Sequence, residues 1–229
     1  IHPVCFIPCD KQEIINQLIS LYQTCMDDDI DVQILEPLKS GKYFGTKYTN
    51  QACQARFVKH KQPINLYNEI FEQWEKRSIY EGEPVICTQN HWDKNLQNGS
   101  MGKVVKVYTA PEECYNDKNE MTSLAYADIE WDDGQVLPLT DDLIDDVTLC
   151  YSVTTHKAQG SQWHTVIFPV YEARNLDVSL LYTAITRAQT QIIMLGDIQV
   201  ARRVVGKPPK ALERMTSLHH LVKEKLDCK

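Results

Sequence analysis

The fold class is decided by residues 147–161, which read VTLCYSVTTHKAQGS. The apolar and β-branched part predicts a strand over Val147–Val153, and the polar part predicts the turn that follows it. A second strand is predicted over Trp163–Val170, and a third apolar run follows at Gln191–Leu195 with a helix between them. Strands that alternate with helices predict an α/β domain, in which a parallel sheet carries helices on both faces.

The same alternation is found upstream of this stretch. Apolar spacing predicts a helix that follows Asp10 and Glu13, a capping-box pair, and ends near Met26. Residues 30–34 alternate as a strand. Two more helical pieces are expected, one capped by Thr46 and ending near Phe57, and one that includes Leu66, Ile70 and Trp74.

Residues 81–147 have a different pattern. Short apolar runs alternate there with turn signals such as Asp132-Asp133-Gly134, and residues 110–121 are polar and predict a loop. This pattern predicts a small all-β barrel inserted into the α/β domain. The predicted division is therefore 1–80 for the first part of the α/β domain, 81–147 for the barrel, and 148–229 for the second part with a basic C-terminal helix.

Composition narrows the class of protein. The chain has 229 residues, 43% of them hydrophobic and 24% charged, which is typical of a globular protein and not of a disordered one. It contains no apolar run long enough to span a membrane, so we expect no membrane partner. Its eight cysteines are scattered without a C-x-x-C pair, which favours reduced thiols in a cytoplasmic protein and no metal site.

Charge is unevenly distributed along the chain. The net charge is −7, but residues 37–68 contain no Asp or Glu and carry Lys39 and Lys42 among other cations, with aromatic residues between them. Such a mixture is typical of a groove that binds single-stranded nucleic acid, since cations meet phosphates and rings stack on bases. A solvated basic face has the same composition, so composition alone does not decide between the two. Trp92, in a polar loop, is a further candidate for stacking on a base.

Two motifs carry the predicted chemistry. The first is the turn at Thr154–Ser161, where hydroxyls and free backbone N–H groups at the end of a buried strand can hold phosphate oxygens and Gly160 permits close approach. The second is Leu181–Ala188, which is expected to bring Arg187 near the end of a helix capped by Asp177. Its guanidinium matches a phosphate in geometry, although a lone arginine is also typical of an ordinary surface ion pair.

Taken together, these residues resemble the last two motifs of superfamily 1 helicases, in the RecD-like branch of the exodeoxyribonuclease V alpha-subunit type. Residues 33–41 read QILEPLKSG and are similar to the QVLAPMRKG segment of that branch. Tyr80–Val85 and Asn98–Gly102 resemble its Y-x-G-D/R-x-V and NGDxG stretches. The chain departs from the pattern at Gln162, where many superfamily 1 members have glutamate, and at Ser100, where the branch often has aspartate.

The resemblance implies the second RecA-like domain of an ATP-dependent DNA helicase, with a Src-homology-like barrel inserted, that translocates on single-stranded DNA in the 5′ to 3′ direction in recombination or repair. It implies that Thr154, Thr155 and His156 face the strand. Further candidate contacts to the strand, taken from the residues themselves, are Lys157, Lys39, Lys42 and Trp92. The resemblance further implies that Gln159, Gly160 and Gln162 face the nucleotide, and that Arg187 is the arginine finger.

One motif is missing from the chain. No G-x-x-x-x-G-K-[ST] phosphate loop occurs, and no acidic pair follows a strand in a magnesium-binding context. We therefore expect an internal start, with ATP and Mg²⁺ held mainly by an upstream RecA-like domain of the same protein and no hydrolysis by this fragment alone. Other exodeoxyribonuclease V subunits are further candidate partners.

Two alternative functions remain open from the sequence. One is a non-catalytic module that binds single-stranded nucleic acid, and the other is the helicase part of a conjugative relaxase or of a phage helicase.

Overall fold

The fold is that of a computed structural model, which describes residues 3–59, 61–68, 73–115, 118–209 and 223. In chain order its elements are β1 (Val4–Pro8), α1 (Ile14–Asp27), β2 (Val32–Glu36), α2 (Thr46–Phe57), β3 (Pro63–Asn68), β4 (Gln73–Tyr80), β5 (Pro84–Cys87), β6 (Met101–Tyr115), β7 (Met121–Trp131), β8 (Val136–Thr140), β9 (Val147–Leu149), β10 (Ser152–Thr154), β11 (Trp163–Val170), α3 (Val178–Ile185), β12 (Ala188–Gly196) and α4 (Ile198–Val205).

A parallel sheet forms the centre of the described residues, with strand order β1-β12-β11-β2-β10. Its side chains alternate between the two faces because successive residues of a strand point in opposite directions. Ile167 faces a cluster that includes α1 and α2, whereas Val166 and Phe168 face α3 and α4. The prediction of an α/β fold with a parallel sheet covered on both faces is confirmed.

The helices follow the predicted spacing but not all of the predicted caps. In α1 the buried residues Ile14, Leu18 and Tyr22 recur once per turn, and Asp177 caps α3 by accepting from the Leu180 N–H at 2.9 Å, as expected. The predicted capping box at the start of α1 is wrong, since the helix makes no side-chain cap hydrogen bond. None of the helices in the described residues is long and apolar enough to cross a membrane.

The C-terminal region is described only in part. Helix α4 carries Arg202 and Arg203 in its last turn and begins the basic segment that the sequence predicts to be helical. Residues 210–222 and 224–229 lie outside the described residues.

A second sheet is antiparallel, with strand order β8-β7-β6-β5-β9. It has a hydrophobic core of its own, in which Val85, Val104 and Ile129 are fully buried. Strands β8 and β9 are its edges, and its closure into a barrel remains a prediction. Residues 110–115 were expected in a loop, but they continue β6, so the strand pair β6–β7 is longer than predicted.

Two further expectations are wrong. The segment expected to form a helix around Leu66 and Trp74 is an antiparallel pair, β3 and β4, while Ile70 lies outside the described residues. The single strand expected over 147–153 is two short strands in different sheets, because β9 pairs with β5 and β10 pairs with β2. The chain therefore passes from one sheet to the other at Cys150 and Tyr151.

Glu83 holds this crossing in place. Its buried carboxylate accepts hydrogen bonds from Gln54 Nε2 at 3.0 Å, the Tyr80 N–H at 2.8 Å and the Tyr151 hydroxyl at 3.0 Å. Asn50 adds a second link, because its amide donates to the carbonyls of residues 149 and 152 and accepts from the N–H of residue 152. Helix α2 is thus tied directly to the crossing between the sheets.

Candidate functional site

The turn after β10 crosses from the carboxyl ends of the parallel strands, called here one edge of the sheet, to their amino ends, the opposite edge. It begins beside Glu36, the last residue of β2, because Thr154 and Glu36 are partners in the register. It ends at Trp163, which is aligned with the first residue of β12 and so lies at the opposite edge. Internal hydrogen bonds close it into successive turns, and Gly160 has a φ of 95°, a conformation that favours glycine.

The predicted strand-contacting residues of this turn differ in exposure. His156 and Lys157 are exposed and Thr154 is half-buried. Thr155 is fully buried, and both its N–H and its hydroxyl donate to the Glu36 carbonyl, at 3.0 and 3.3 Å. In this arrangement the Thr155 side chain fixes the start of the turn and does not reach its surface.

Arg187 lies at the far end of the same turn. It follows α3 by two residues and immediately precedes β12. Its Nη1 donates to the Ser161 carbonyl at 3.3 Å, and its own carbonyl accepts from the Trp163 N–H at 3.0 Å. The side chain also donates to the Thr183 carbonyl at 3.3 Å, so the guanidinium is held between the end of α3 and the end of the turn.

The groups at this edge fit a nucleotide phosphate. None of the ion pairs in the described part of the chain involves Arg187, so its charge faces no carboxylate there. The predicted nucleotide-facing residues Gln159, Gly160 and Gln162 are exposed on the same turn. A planar guanidinium with uncommitted charge beside such a turn is suited to phosphate oxygens.

The same residues do not form a metal site. Over residues 3–59, 61–68, 73–115, 118–209 and 223, no group of three His, Cys, Asp or Glu side chains is arranged to hold a metal ion.

The basic loop, defined here as residues 37–45, lies at the other end of the turn. Lys39 and Lys42 are exposed, and the Lys42 Nζ lies 5.0 Å from the ring centre of the exposed Tyr43. Lys39 and Lys42 therefore project from the sheet edge at which the Thr154–Ser161 turn begins. This juxtaposition of cations and a ring is the one that the sequence predicts for a strand-binding surface.

Trp92 lies apart from these residues. It opens a short helical turn between β5 and β6, and its side chain is 73% exposed. Trp131 and Trp163, in contrast, are buried. The connection between β5 and β6 thus exposes the indole ring of Trp92, while the basic loop, the turn and Arg187 belong to the parallel sheet and its connections.

Glu36 was missed as a candidate by the sequence analysis. Its side chain is fully buried and accepts from the Thr49 hydroxyl at 2.6 Å and from the Tyr171 hydroxyl at 2.7 Å. Burial raises the pKa of this carboxyl to about 7, and the hydrogen bonds from Thr49, Tyr171 and the Gly45 N–H oppose that rise. A glutamate directly after the strand residues VQIL, at the predicted end of a buried strand, was the signal in the sequence that could have revealed it.

Comparison with known proteins places the site in a family context. Residues 149–195 match the UvrD-like helicase C-terminal domain. The ATP-dependent RecD2 DNA helicase of Deinococcus radiodurans is 29% identical over 191 residues, which are 80% of this chain and 23% of that protein. The RecBCD enzyme subunit RecD of Mycolicibacterium smegmatis is 30% identical over 121 residues, which are 52% of this chain and 19% of that protein.

The resemblance to RecD-like helicases is confirmed. The turn Thr154–Ser161 and Arg187 both lie inside the segment that matches the helicase domain, whereas Lys39, Lys42 and Trp92 lie outside it. The chain spans about a fifth to a quarter of the length of these RecD-like relatives.

A solved structure shows the same fold. The Pif1 helicase from Bacteroides, in complex with ADP-AlF3 and ssDNA, superposes with a TM-score of 0.53 at 16% identity, covering 93% of this chain and 54% of that one. At this identity the likeness concerns the fold alone.

Proposed function

We propose that this chain is the second RecA-like motor domain of an ATP-dependent DNA helicase that translocates on single-stranded DNA. The observation that carries the proposal is the turn from Thr154 to Ser161, which is hydrogen-bonded to Glu36 at one sheet edge and to Arg187 at the other. One continuous segment therefore connects the surface proposed to grip the strand with the arginine proposed to sense the nucleotide.

At the nucleotide edge, Arg187 acts as the arginine finger. ATP supplies the γ-phosphoryl group whose charge increases in the transition state, and a guanidinium there is worth about 10³–10⁵ in rate. Gln159, Gly160 and Gln162 flank the phosphates, and Gln162 can donate a hydrogen bond to a ribose hydroxyl but cannot act as a base. The phosphate loop and the Mg²⁺ ligands come from the upstream RecA-like domain, so the fragment alone hydrolyses no ATP.

At the other edge, the strand lies across the basic loop and the exposed part of the turn. Lys39, Lys42 and Lys157 neutralise phosphates there, while Thr154 and His156 donate hydrogen bonds to them. Thr155 supports this surface from inside and makes no contact with the strand. The 5′ to 3′ direction and the place in recombination or repair are carried over from the RecD-like resemblance, as are other exodeoxyribonuclease V subunits as partners.

The antiparallel sheet is proposed to act as the Src-homology-like barrel of residues 81–147. Its exposed Trp92 stacks on a base of the same strand, which is worth about 1–3 kcal/mol per base in such complexes. The surrounding α/β parts, 1–80 and 148–229, form the motor domain that carries it.

The test replaces Arg187 in the full-length protein that contains the upstream domain. Arg187→Ala is expected to lower the kcat of strand-stimulated ATP hydrolysis at least 10³-fold and to leave the affinity for an oligo-dT strand within about twofold, because the arginine lies at the nucleotide edge. Arg203→Ala is the matched control, since Arg203 is an exposed arginine paired with Glu172. Unchanged hydrolysis in Arg187→Ala, or hydrolysis by the isolated 229-residue chain, would refute the proposal.

A further inference from the structure

Glu36 connects the two segments that are proposed to bind the strand. Its backbone carbonyl accepts both hydrogen bonds of Thr155, at the start of the turn. Its carboxyl accepts from the Tyr171 hydroxyl at 2.7 Å, and the ring of Tyr171 packs on Phe44 in the basic loop that Glu36 itself precedes. One residue is thus bonded to the start of the turn and, through Tyr171, is connected to the basic loop.

The carboxyl closes the basic loop at its base. Backbone bonds close the loop as well, because the N–H groups of residues 46 and 47 donate to the carbonyls of residues 38 and 39, both at 3.1 Å. Inside the loop, the Phe44 ring stacks on the Tyr171 ring with centres 4.3 Å apart. Tyr171 is also a donor to the Glu36 carboxylate, so the same phenol supports the loop through its ring and through its hydroxyl.

The remaining surroundings of the carboxyl come from α2. Thr49 donates to it at 2.6 Å, and burial together with the nearby Glu36 carboxylate raises the pKa of the Cys53 thiol. The titratable groups that face Glu36 are therefore the Cys53 thiol and the Tyr171 phenol, and no cation is among the causes that shift its own titration. The carboxyl is held by neutral donors from two different segments, namely α2 and the residue that follows β11.

We propose that Glu36 is a positioning residue that holds the basic loop and the Thr154–Ser161 turn in the mutual arrangement needed to bind one strand. A loop that is held in its binding conformation loses less entropy on binding, so Lys39 and Lys42 contribute more affinity when the loop is closed at its base. This rests on the proposed function, because it assigns a role within the proposed strand-binding surface.

The experiment measures affinity for a fluorescent oligo-dT strand between about 50 and 200 mM salt, using the 229-residue chain. Glu36→Ala is expected to lower the affinity about tenfold at the lower salt concentration. It is also expected to make the decrease of log K with log salt less steep, by as much as about 1.4 in the magnitude of the slope. Each phosphate contact of a single strand contributes about 0.7, and Lys39 and Lys42 account for two such contacts. A role in overall stability alone would leave that slope unchanged.

A double-mutant cycle tests the position of the effect. In a Lys39→Ala/Lys42→Ala background, Glu36→Ala is expected to cost less than about twofold, because the cations that it positions are gone. Tyr171→Phe keeps the ring stack, removes one donor to the carboxyl and is expected to lower the affinity about threefold in a folded chain. It provides the same test if Glu36→Ala does not fold.

Tyr151→Phe is the matched control. It removes a phenol hydroxyl from the other buried glutamate, Glu83, and is expected to leave both the affinity and the salt slope unchanged.

Three results overturn the inference. The first is that Glu36→Ala and Tyr171→Phe bind oligo-dT with the affinity of the wild type. This result would contradict the inference without contradicting the proposed function. Another is an equal loss in both backgrounds with an unchanged salt slope, which would assign Glu36 to stability alone. A wild-type chain that does not bind the strand refutes the proposed strand-binding surface, and the inference fails with it.

Discussion

Glu36 and Glu83 are two buried glutamates with closely similar surroundings and different positions in the fold. Each accepts a hydrogen bond from a tyrosine hydroxyl and from a side chain of α2, namely Tyr171 and Thr49 for Glu36, and Tyr151 and Gln54 for Glu83. Glu83 lies where the chain crosses between the sheets, whereas Glu36 lies under the loops of one sheet edge. The comparison shows that the same set of hydrogen bonds can stabilise a connection between two sheets, at Glu83, or the conformation of surface loops, at Glu36.

The largest expected effect on the free energy of unfolding comes from removing the Glu83 carboxyl, at the crossing between the sheets. Glu83→Ala leaves the buried Tyr151 hydroxyl and the half-buried Tyr80 N–H without their acceptor, and an unsatisfied buried donor costs roughly 1–3 kcal/mol. It also removes one of two acceptors of Gln54, whose Nε2 still donates to the Ser78 carbonyl. The free energy of unfolding, measured by urea denaturation, is expected to fall by about 4 kcal/mol. A fall below about 1 kcal/mol would mean that water replaces the carboxylate and that the crossing is held by Asn50 instead.

Glu36 and Glu83 are also expected to differ in how much each contributes to the pH dependence of stability. The pKa of Glu36 rises from 4.5 to about 7 on folding, so the folded chain binds more protons between these values. This contribution to stability is fully present below pH 4.5 and is lost as the pH rises through 7, with a total of about 3 kcal/mol. Urea denaturation from pH 4 to 8 is expected to show the loss in the wild type and a flatter profile in Glu36→Gln.

Glu83→Gln is the comparison variant for that profile. Burial also raises the pKa of Glu83, but hydrogen bonds and the charge of Lys61 lower it. The glutamine is therefore expected to flatten the profile less at Glu83 than at Glu36. Equal flattening by the two variants would show that the two carboxyls differ in position alone.

The smallest effect is expected at Thr155. Thr155→Val keeps the shape of the side chain and the N–H bond to Glu36, and removes only the hydroxyl bond of 3.3 Å. The free energy of unfolding is expected to fall by less than about 1 kcal/mol and the affinity for oligo-dT to remain within about twofold. A tenfold loss of affinity at unchanged stability would mean that the hydroxyl contacts the strand directly.

Local patterns in the sequence are sufficient for most of the parallel sheet. The strand at Trp163–Val170 and the helix capped by Asp177 follow from periodicity and capping alone, because both are determined by residues that are neighbours in the chain. The helix expected around Leu66 and Trp74 fails for the opposite reason. Its segment pairs as a hairpin whose Ile64 and Ile79 are buried in the core of the antiparallel sheet, and this tertiary contact outweighs a local spacing of four residues.

The candidate site was predictable in part. The turn and Arg187 are adjacent in the chain to strands and carry recognisable residue types, so the sequence indicates both. The burial of Thr155 and the role of Glu36 were not visible, because their partners are distant in sequence: Glu36 is 13 residues from Thr49 and 135 from Tyr171. Only the folded chain brings these donors to one carboxyl.

The pairing of β5 with β9 has a consequence for how this protein can change in evolution. The Cys150 N–H donates to the Pro84 carbonyl at 2.8 Å, so the two ends of the antiparallel module lie next to each other. A module whose two ends are neighbours can be lengthened, shortened or exchanged without altering the strand order beneath it. A change in the length of the antiparallel sheet therefore leaves the connectivity of the sheet that carries the turn and Arg187 unaltered.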